Sequence, residues 1–123
     1  MSKVDLSNMS VKDLVQRFEA ITLVQDEALL RDELSKFDKL FRQMEDVKTE
    51  LRSRPGDQRR ALLALYNHPN PQVRVKAIKA TLAVAPAEAR RALEKLAESG
   101  EYPQSGEAGM SLSNLDAGIF KPQ

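Results

Sequence analysis

LLALYNHPNPQVRVKAIKATLAVAP, Leu62 to Pro86, sets two prolines inside an apolar, strongly helix-forming run, and the reading of that interruption decides the fold. Asn70 is of the type that caps helix N-termini by accepting from free N–H groups of the first turn. Pro71 then sits at the first helical position, where its missing N–H costs nothing. The break is therefore a corner between two helices. On a wheel of about 100° per residue, Val73, Ala77, Ala80, Thr81 and Val84 fall on one side, with Val75, Ile78, Leu82 and Ala85 on the adjoining side. Only Lys76 and Lys79 mark the opposite face. A helix from Pro71 to about Ala85 with so wide an apolar arc is expected to lie between neighbours.

Working outward, Asp57 is placed to cap a preceding helix over GDQRRALLALYN that buries Leu62, Leu63, Leu65 and Tyr66. Pro86 opens the following one, PAEARRALEKLAESG, with Glu88 in its first turn. Ala89, Leu93, Leu96 and Ala97 share one face, and Gly100 is the C-terminal cap. Short helices joined at proline-rich corners are how α-solenoid repeats stack.

These residues resemble a HEAT-type repeat: a Leu-rich helix end, a short Asn-Pro corner, then V-R-x-x-A opening the second helix. The resemblance implies hydrogen bonding along the stack by Asn70 and Arg74. More widely, from SVKDLVQRF through RPGDQRRALL to GEAGMSLSNLDAGIFKP, the chain is similar to a family of small bacterial, HEAT-like domains of unknown function. That similarity brings no activity with it.

Toward the N-terminus, Ser10 caps a stripe of Val11, Leu14, Phe18 and Ile21 at spacings of three and four. The apolar set then restarts out of phase as Leu30, Leu34, Phe37, Phe41, Met44, Val47 and Leu51. Two helices joined tightly near residues 26–33, with Asp32 capping the second, account for the slip. One long helix seeking a coiled-coil partner is the alternative. Pro55 and Gly56 end the hairpin. In the tail, Ala108, Leu112, Leu115 and Ile119 keep helical spacing despite four glycines from Gly100 onward, so a final helix near 105–116 is expected, with disorder as the alternative.

The chain has 123 residues, 41% hydrophobic and 30% charged, which suits one folded domain: an N-terminal hairpin at 10–54, HEAT-like helices at 56–100 and a C-terminal cap or tail at 101–123. Without cysteine there is no disulfide, thiolate metal site or cysteine nucleophile. No apolar run approaches the roughly eighteen residues of a membrane span, and MSKVDLSNMSVKD lacks a signal-sequence core, so a soluble cytoplasmic protein is expected. His68, the sole histidine, lies in a corner, which removes two-histidine metal motifs and a Ser-His-Asp triad. No glycine-rich phosphate loop is present, and neighbouring acids such as Asp32-Glu33 diverge on a helix. No cofactor or metal is expected, and the chain reads as a non-enzyme.

Charge is uneven beneath the net value of +1. Residues 52–95 hold ten Lys/Arg against three Asp/Glu. Arg52, Arg54, Arg59, Arg60, Lys76, Lys79, Arg90 and Arg91 form the candidate partner-binding set, to be weighed against a merely solvated face. The expected object is an all-α, HEAT-like α-α superhelix, a short solenoid with an N-terminal helical hairpin. Its leading function is protein-binding adaptor, in one version an immunity- or antitoxin-like protein whose basic block occludes an acidic partner. Nucleic-acid binding through the same block is the competitor, although no tryptophan is present for base stacking. A monomer or a homodimer paired through Leu34, Phe37, Phe41 and Met44 remain open.

Overall fold

Ser10 begins the first helix as its residue type requires: extended at φ −69°, ψ 161°, its hydroxyl accepts from the Asp13 N–H at 3.0 Å. The structure, a computed structural model, describes residues 4–123. Six helices and no strand occur among them: α1 Val11–Leu30, α2 Leu34–Ser53, a 3-10 helix Gln58–Leu65, α3 Pro71–Ala80, α4 Pro86–Ala97 and α5 Gln104–Asp116. None is long and apolar enough to cross a membrane. The chain divides into two compact units, one running to Ala61 and the other from Leu62.

In the first unit α1 packs along α2. Leu14, Phe18, Ile21 and Ala28 are buried on α1, and Met44, Val47 and Leu51 on α2. Two polar residues share the α1 interior. Thr22 returns its hydroxyl to the Phe18 carbonyl at 2.9 Å, and Gln25 donates to the Met44 sulfur at 3.6 Å. The tight joint expected near 26–33 is present, but Asp32 does not cap α2. It stands just past the end of α1 in the left-handed region at φ 55°, with its N–H on the Leu29 carbonyl and the Glu33 N–H on the Ala28 carbonyl at 2.9 Å. That bond pattern is a Schellman motif, and it consumes Asp32 in closing α1. Glu33 becomes the N-cap of α2 and makes no side-chain capping bond.

The phase slip has a second outcome. Leu30 and Leu34 are 81% and 65% exposed and Phe41 40%, so the upper part of the expected core stripe lies on the surface. Only its lower part, from Met44 on, is core.

The expected α-helix over residues 57–67 is a 3-10 helix instead. Arg59, Leu62 and Leu65 are the buried positions, a period of three. Three residues per turn stacks all three in one line, where 3.6 would spread them over about 120°. Leu63 and Tyr66 are only partly buried.

In the second unit the Asn67–Pro71 corner forms as read. Asn70 Oδ1 accepts from the Gln72 N–H at 2.8 Å, Pro71 opens α3, and His68 Nδ1 accepts from the Asn70 N–H at 3.0 Å. However, α3 stops at Ala80 rather than near Ala85. The Thr81 hydroxyl lies on the Ala77 and Ile78 carbonyls and against the Tyr66 hydroxyl, while both the Val84 and Ala85 N–H groups turn back to the Thr81 carbonyl. Pro86 keeps Ala85 out of helical geometry, at φ −142°, ψ 60°, so the helix does not resume before Pro86 opens α4.

The core here is Val75, Ile78, Leu82, Ala89, Leu93, Leu96 and Ala108, with Tyr66, Leu112, Leu115 and Phe120 packed against it. α5 matches the helix expected near 105–116. Gln104, buried, donates to buried Gln72 Oε1 at 2.9 Å, which gives each buried amide a partner. Gly118, at φ 73°, turns the chain and returns Phe120 to the core, its N–H on the Asn114 carbonyl.

Candidate functional site

The basic block is the place to begin, because folding decides how much of its charge remains available. In the first unit Arg54 lies at the end of α2. Its Nε meets Glu50 Oε2 at 2.7 Å, and one terminal nitrogen donates to the carbonyls of Leu6 at 3.2 Å and Met9 at 2.8 Å. This arginine fastens the N-terminal segment. Arg59 is buried and grips Asp57 through both Nε (2.9 Å) and a terminal nitrogen (2.7 Å), a bidentate fork that holds the Asp57 carboxyl below its ordinary range. Arg52 and Arg60 are exposed.

In the second unit Lys76 and Lys79, one turn apart on α3, converge on Glu107 of α5 at 2.8 and 3.2 Å. Burial pushes the Glu107 carboxyl up, but the two ammonium groups more than offset this and hold it below the ordinary value. Arg90 on α4 reaches Asp116 at the end of α5 at 2.9 Å, with Glu94 at 3.9 Å. Arg91 is exposed. Five of the eight candidate cations, Arg54, Arg59, Lys76, Lys79 and Arg90, are thus committed to carboxylates of their own unit. Spacing could not have shown this, because Glu107 and Asp116 lie outside the block in sequence.

Glu107 is where the electrostatics bear on stability. Its side chain is 30% exposed and that of Lys76 only 10%. Glu107→Gln is expected to cost about 1–2 kcal/mol in urea unfolding at neutral pH, since Lys76 and Lys79 lose the charged acceptor they share. A carboxyl whose folded pKa is depressed contributes fully above its unfolded value, 4.5 for Glu, and the contribution fades as pH falls through the folded value beneath it. The gap between wild type and variant should therefore close on the acid side. A gap unchanged from pH 7 to about pH 3 would refute the pairing.

Two surface features escaped the sequence reading. One is a set of exposed apolar residues on the hairpin, Leu30 and Leu34 at its tip, with Phe41 and Leu23, the latter 37% exposed, about two turns further along α2 and α1. Its periodicity is that of core, so nothing in the sequence flags it as surface. The other is a groove of about 370 Å³ in the second unit, between the Tyr66–Pro69 turn and the Ser99–Glu101 loop, into which Arg74 and Lys95 project from α3 and α4. Arg74 pairs with Glu101 at 2.7 Å. Among the described residues no group of three His, Asp or Glu side chains is placed to hold a metal ion.

Comparison with known proteins extends over almost the whole chain. A family model described as a domain of unknown function, DUF2019, matches residues 12–116. Among solved structures, the crystal structure of the protein RPA1889 from Rhodopseudomonas palustris CGA009 superimposes with a TM-score of 0.95 at 50% sequence identity, covering 98% of this chain and 100% of that one. No curated protein matches.

Proposed function

We propose, for a chain that belongs to the DUF2019 family of domains of unknown function, the role of a non-enzymatic, HEAT-like protein-binding adaptor whose recognition face is the apolar tip of the α1–α2 hairpin. The observation that carries this reading is the exposure of Leu30, Leu34 and Phe41, a stripe written with core periodicity yet left outside the core. Single exposed apolar residues are ordinary, but a cluster of large ones on a small domain is a common mark of an interaction surface. The surrounding charges, Arg31, Asp32, Glu33, Lys36, Asp38 and Lys39, are mixed in sign, which suits a protein partner better than a polyanion.

The internal ion pairs point the same way. Of the ten cations in residues 52–95, Arg54, Arg59, Arg74, Lys76, Lys79 and Arg90 are paired with carboxylates; Arg52, Arg60, Arg91 and Lys95 are exposed, a small footprint for tracking phosphates. The same count weakens the immunity-like version in which the block covers an acidic partner. It also changes how that version is probed: Arg59 is buried on Asp57, so charge reversal belongs at Arg60.

Leu34→Glu with Phe41→Glu is the test. Leu34 is 65% exposed and its change should cost less than about 0.5 kcal/mol, and Phe41, 40% exposed, about 1 kcal/mol, while capture of a partner by the tagged protein should be abolished. Undiminished capture of the same partner refutes the tip as the face. Self-association lost in the variant would identify a second copy of the chain as the partner, and DNA binding that weakens steeply with salt would favour the basic block.

A further inference from the structure

We propose that the groove of the second unit is a binding site for a small organic carboxylate with an apolar body. Its floor is apolar and preformed. Tyr66 and Ala92 pack directly on the core cluster, and Ile78 and Leu96 belong to it. The Tyr66 hydroxyl is turned away to Thr81, which leaves the ring to the groove wall. A volume of about 370 Å³ is of the size that small-molecule sites occupy.

The polar groups in the groove carry surplus positive charge with unused donors. Among the described residues the Arg74 guanidinium has one acceptor, Glu101 Oε2, reached through a single terminal nitrogen; its Nε is buried and out of a ligand's reach, so the terminal N–H groups are the donors that remain. A guanidinium offers five N–H donors in a planar fork that matches a carboxylate, so most of its capacity is unspent. Its side chain is 20% exposed, open enough to be reached and enclosed enough for the contact to resist screening. Lys95 lines the same groove from α4 and is exposed, with no ion pair among the described residues. Among the described residues lining the groove Glu101 is the one carboxylate, and Arg74 holds its carboxyl below the ordinary range. It occupies part of the guanidinium and so competes with an incoming acid. The complementary ligand places its carboxylate on the free donors of Arg74 with Lys95 alongside, and lays an aromatic or branched aliphatic body across Tyr66, Ile78 and Leu96.

Amide chemical shifts of the full chain, titrated with 3-phenylpropionate, test this. Saturable shifts are expected at residues 66–69 and 99–101, with a Kd on the order of 0.1–1 mM for so small a ligand, and no such shifts with its methyl ester. Arg74→Gln should weaken binding by about tenfold or more, and Lys95→Met, at an exposed and unpaired position, by about threefold without affecting the fold. Glu101→Gln should tighten it, a change of sign that mere loss of structure cannot produce. An acetylated Leu-Phe dipeptide with a free carboxyl separates the sources: tighter binding than phenylpropionate, lost on amidation, assigns the site to a peptide chain end, and the reverse order to a free acid. Equal shifts from acid and ester, absence of shifts at about 10 mM, or weaker binding by Glu101→Gln overturns the proposal.

Discussion

Leu93→Ala is expected to lower the unfolding free energy by about 3–4 kcal/mol, the largest loss of any single change considered. Leu93 is fully buried at the middle of α4, in one cluster with Val75 and Ile78 of α3, Leu96 of α4 and Ala108 of α5. Truncation removes the transfer energy of the lost methyl groups and leaves a cavity that helices on several sides cannot close together. Leu93→Met, which conserves volume on a flexible chain, should cost less than about 1.5 kcal/mol. Urea unfolding at neutral pH reads both. A loss below about 1 kcal/mol for the alanine variant would mean that the wide apolar arc of α3 is closed by something other than α4 and α5.

Arg54→Ala is expected to cost about 2–3 kcal/mol, through a different physical route. The arginine joins Glu50 to the carbonyls of Leu6 and Met9 at 2.7–3.2 Å, and its side chain is only 20% exposed. Three charge-assisted bonds are lost at once, and the carbonyls they satisfied are spread over one short segment. The signature is therefore local. Amide exchange of residues 6–10 should accelerate ahead of global unfolding, and buried Leu6 should lose its seat. Arg54→Lys should restore little of this, because a single ammonium can keep Glu50 but cannot also span two carbonyls. Wild-type exchange at residues 6–10 in Arg54→Ala would show that the segment is held by Leu6 packing alone.

What the sequence disclosed, and what it withheld, follows from the range of the forces involved. The corner at Asn70-Pro71, the cap at Ser10, the stop at Pro55-Gly56 and the helix α5 are local events, each settled by residue types a few positions apart. Their chemistry was on the page. The 3-10 helix was hidden because Leu62 and Leu65 also fit an α-helical face, and only the burial of a charged residue, Arg59, reveals the period of three. α3 ended early because Thr81 took up carbonyls of its own turn, a choice a hydrophobic wheel does not register.

The functional surface was less legible for the same reason. Periodicity says that Leu30, Leu34 and Phe41 share a stripe, but whether a stripe is covered depends on what packs there in three dimensions. Charge counts say that residues 52–95 are basic, but Glu107 and Asp116, outside that block, pair with three of its cations. The groove joins residues from three separate segments, Tyr66–Ile78, Ala92–Leu96 and Ser99–Glu101, and no spacing rule would have gathered them.

The most direct test of the hairpin tip as a recognition face is photo-crosslinking in cells from a benzoylphenylalanine placed at position 34, with position 36, exposed on the opposite side of α2, as control and position 60 as reporter for the basic block. Adducts with one protein species from position 34 and none from positions 36 or 60 are predicted. Adducts from position 60 alone, or equally from 34 and 36, would contradict the assignment and return the search to the basic block.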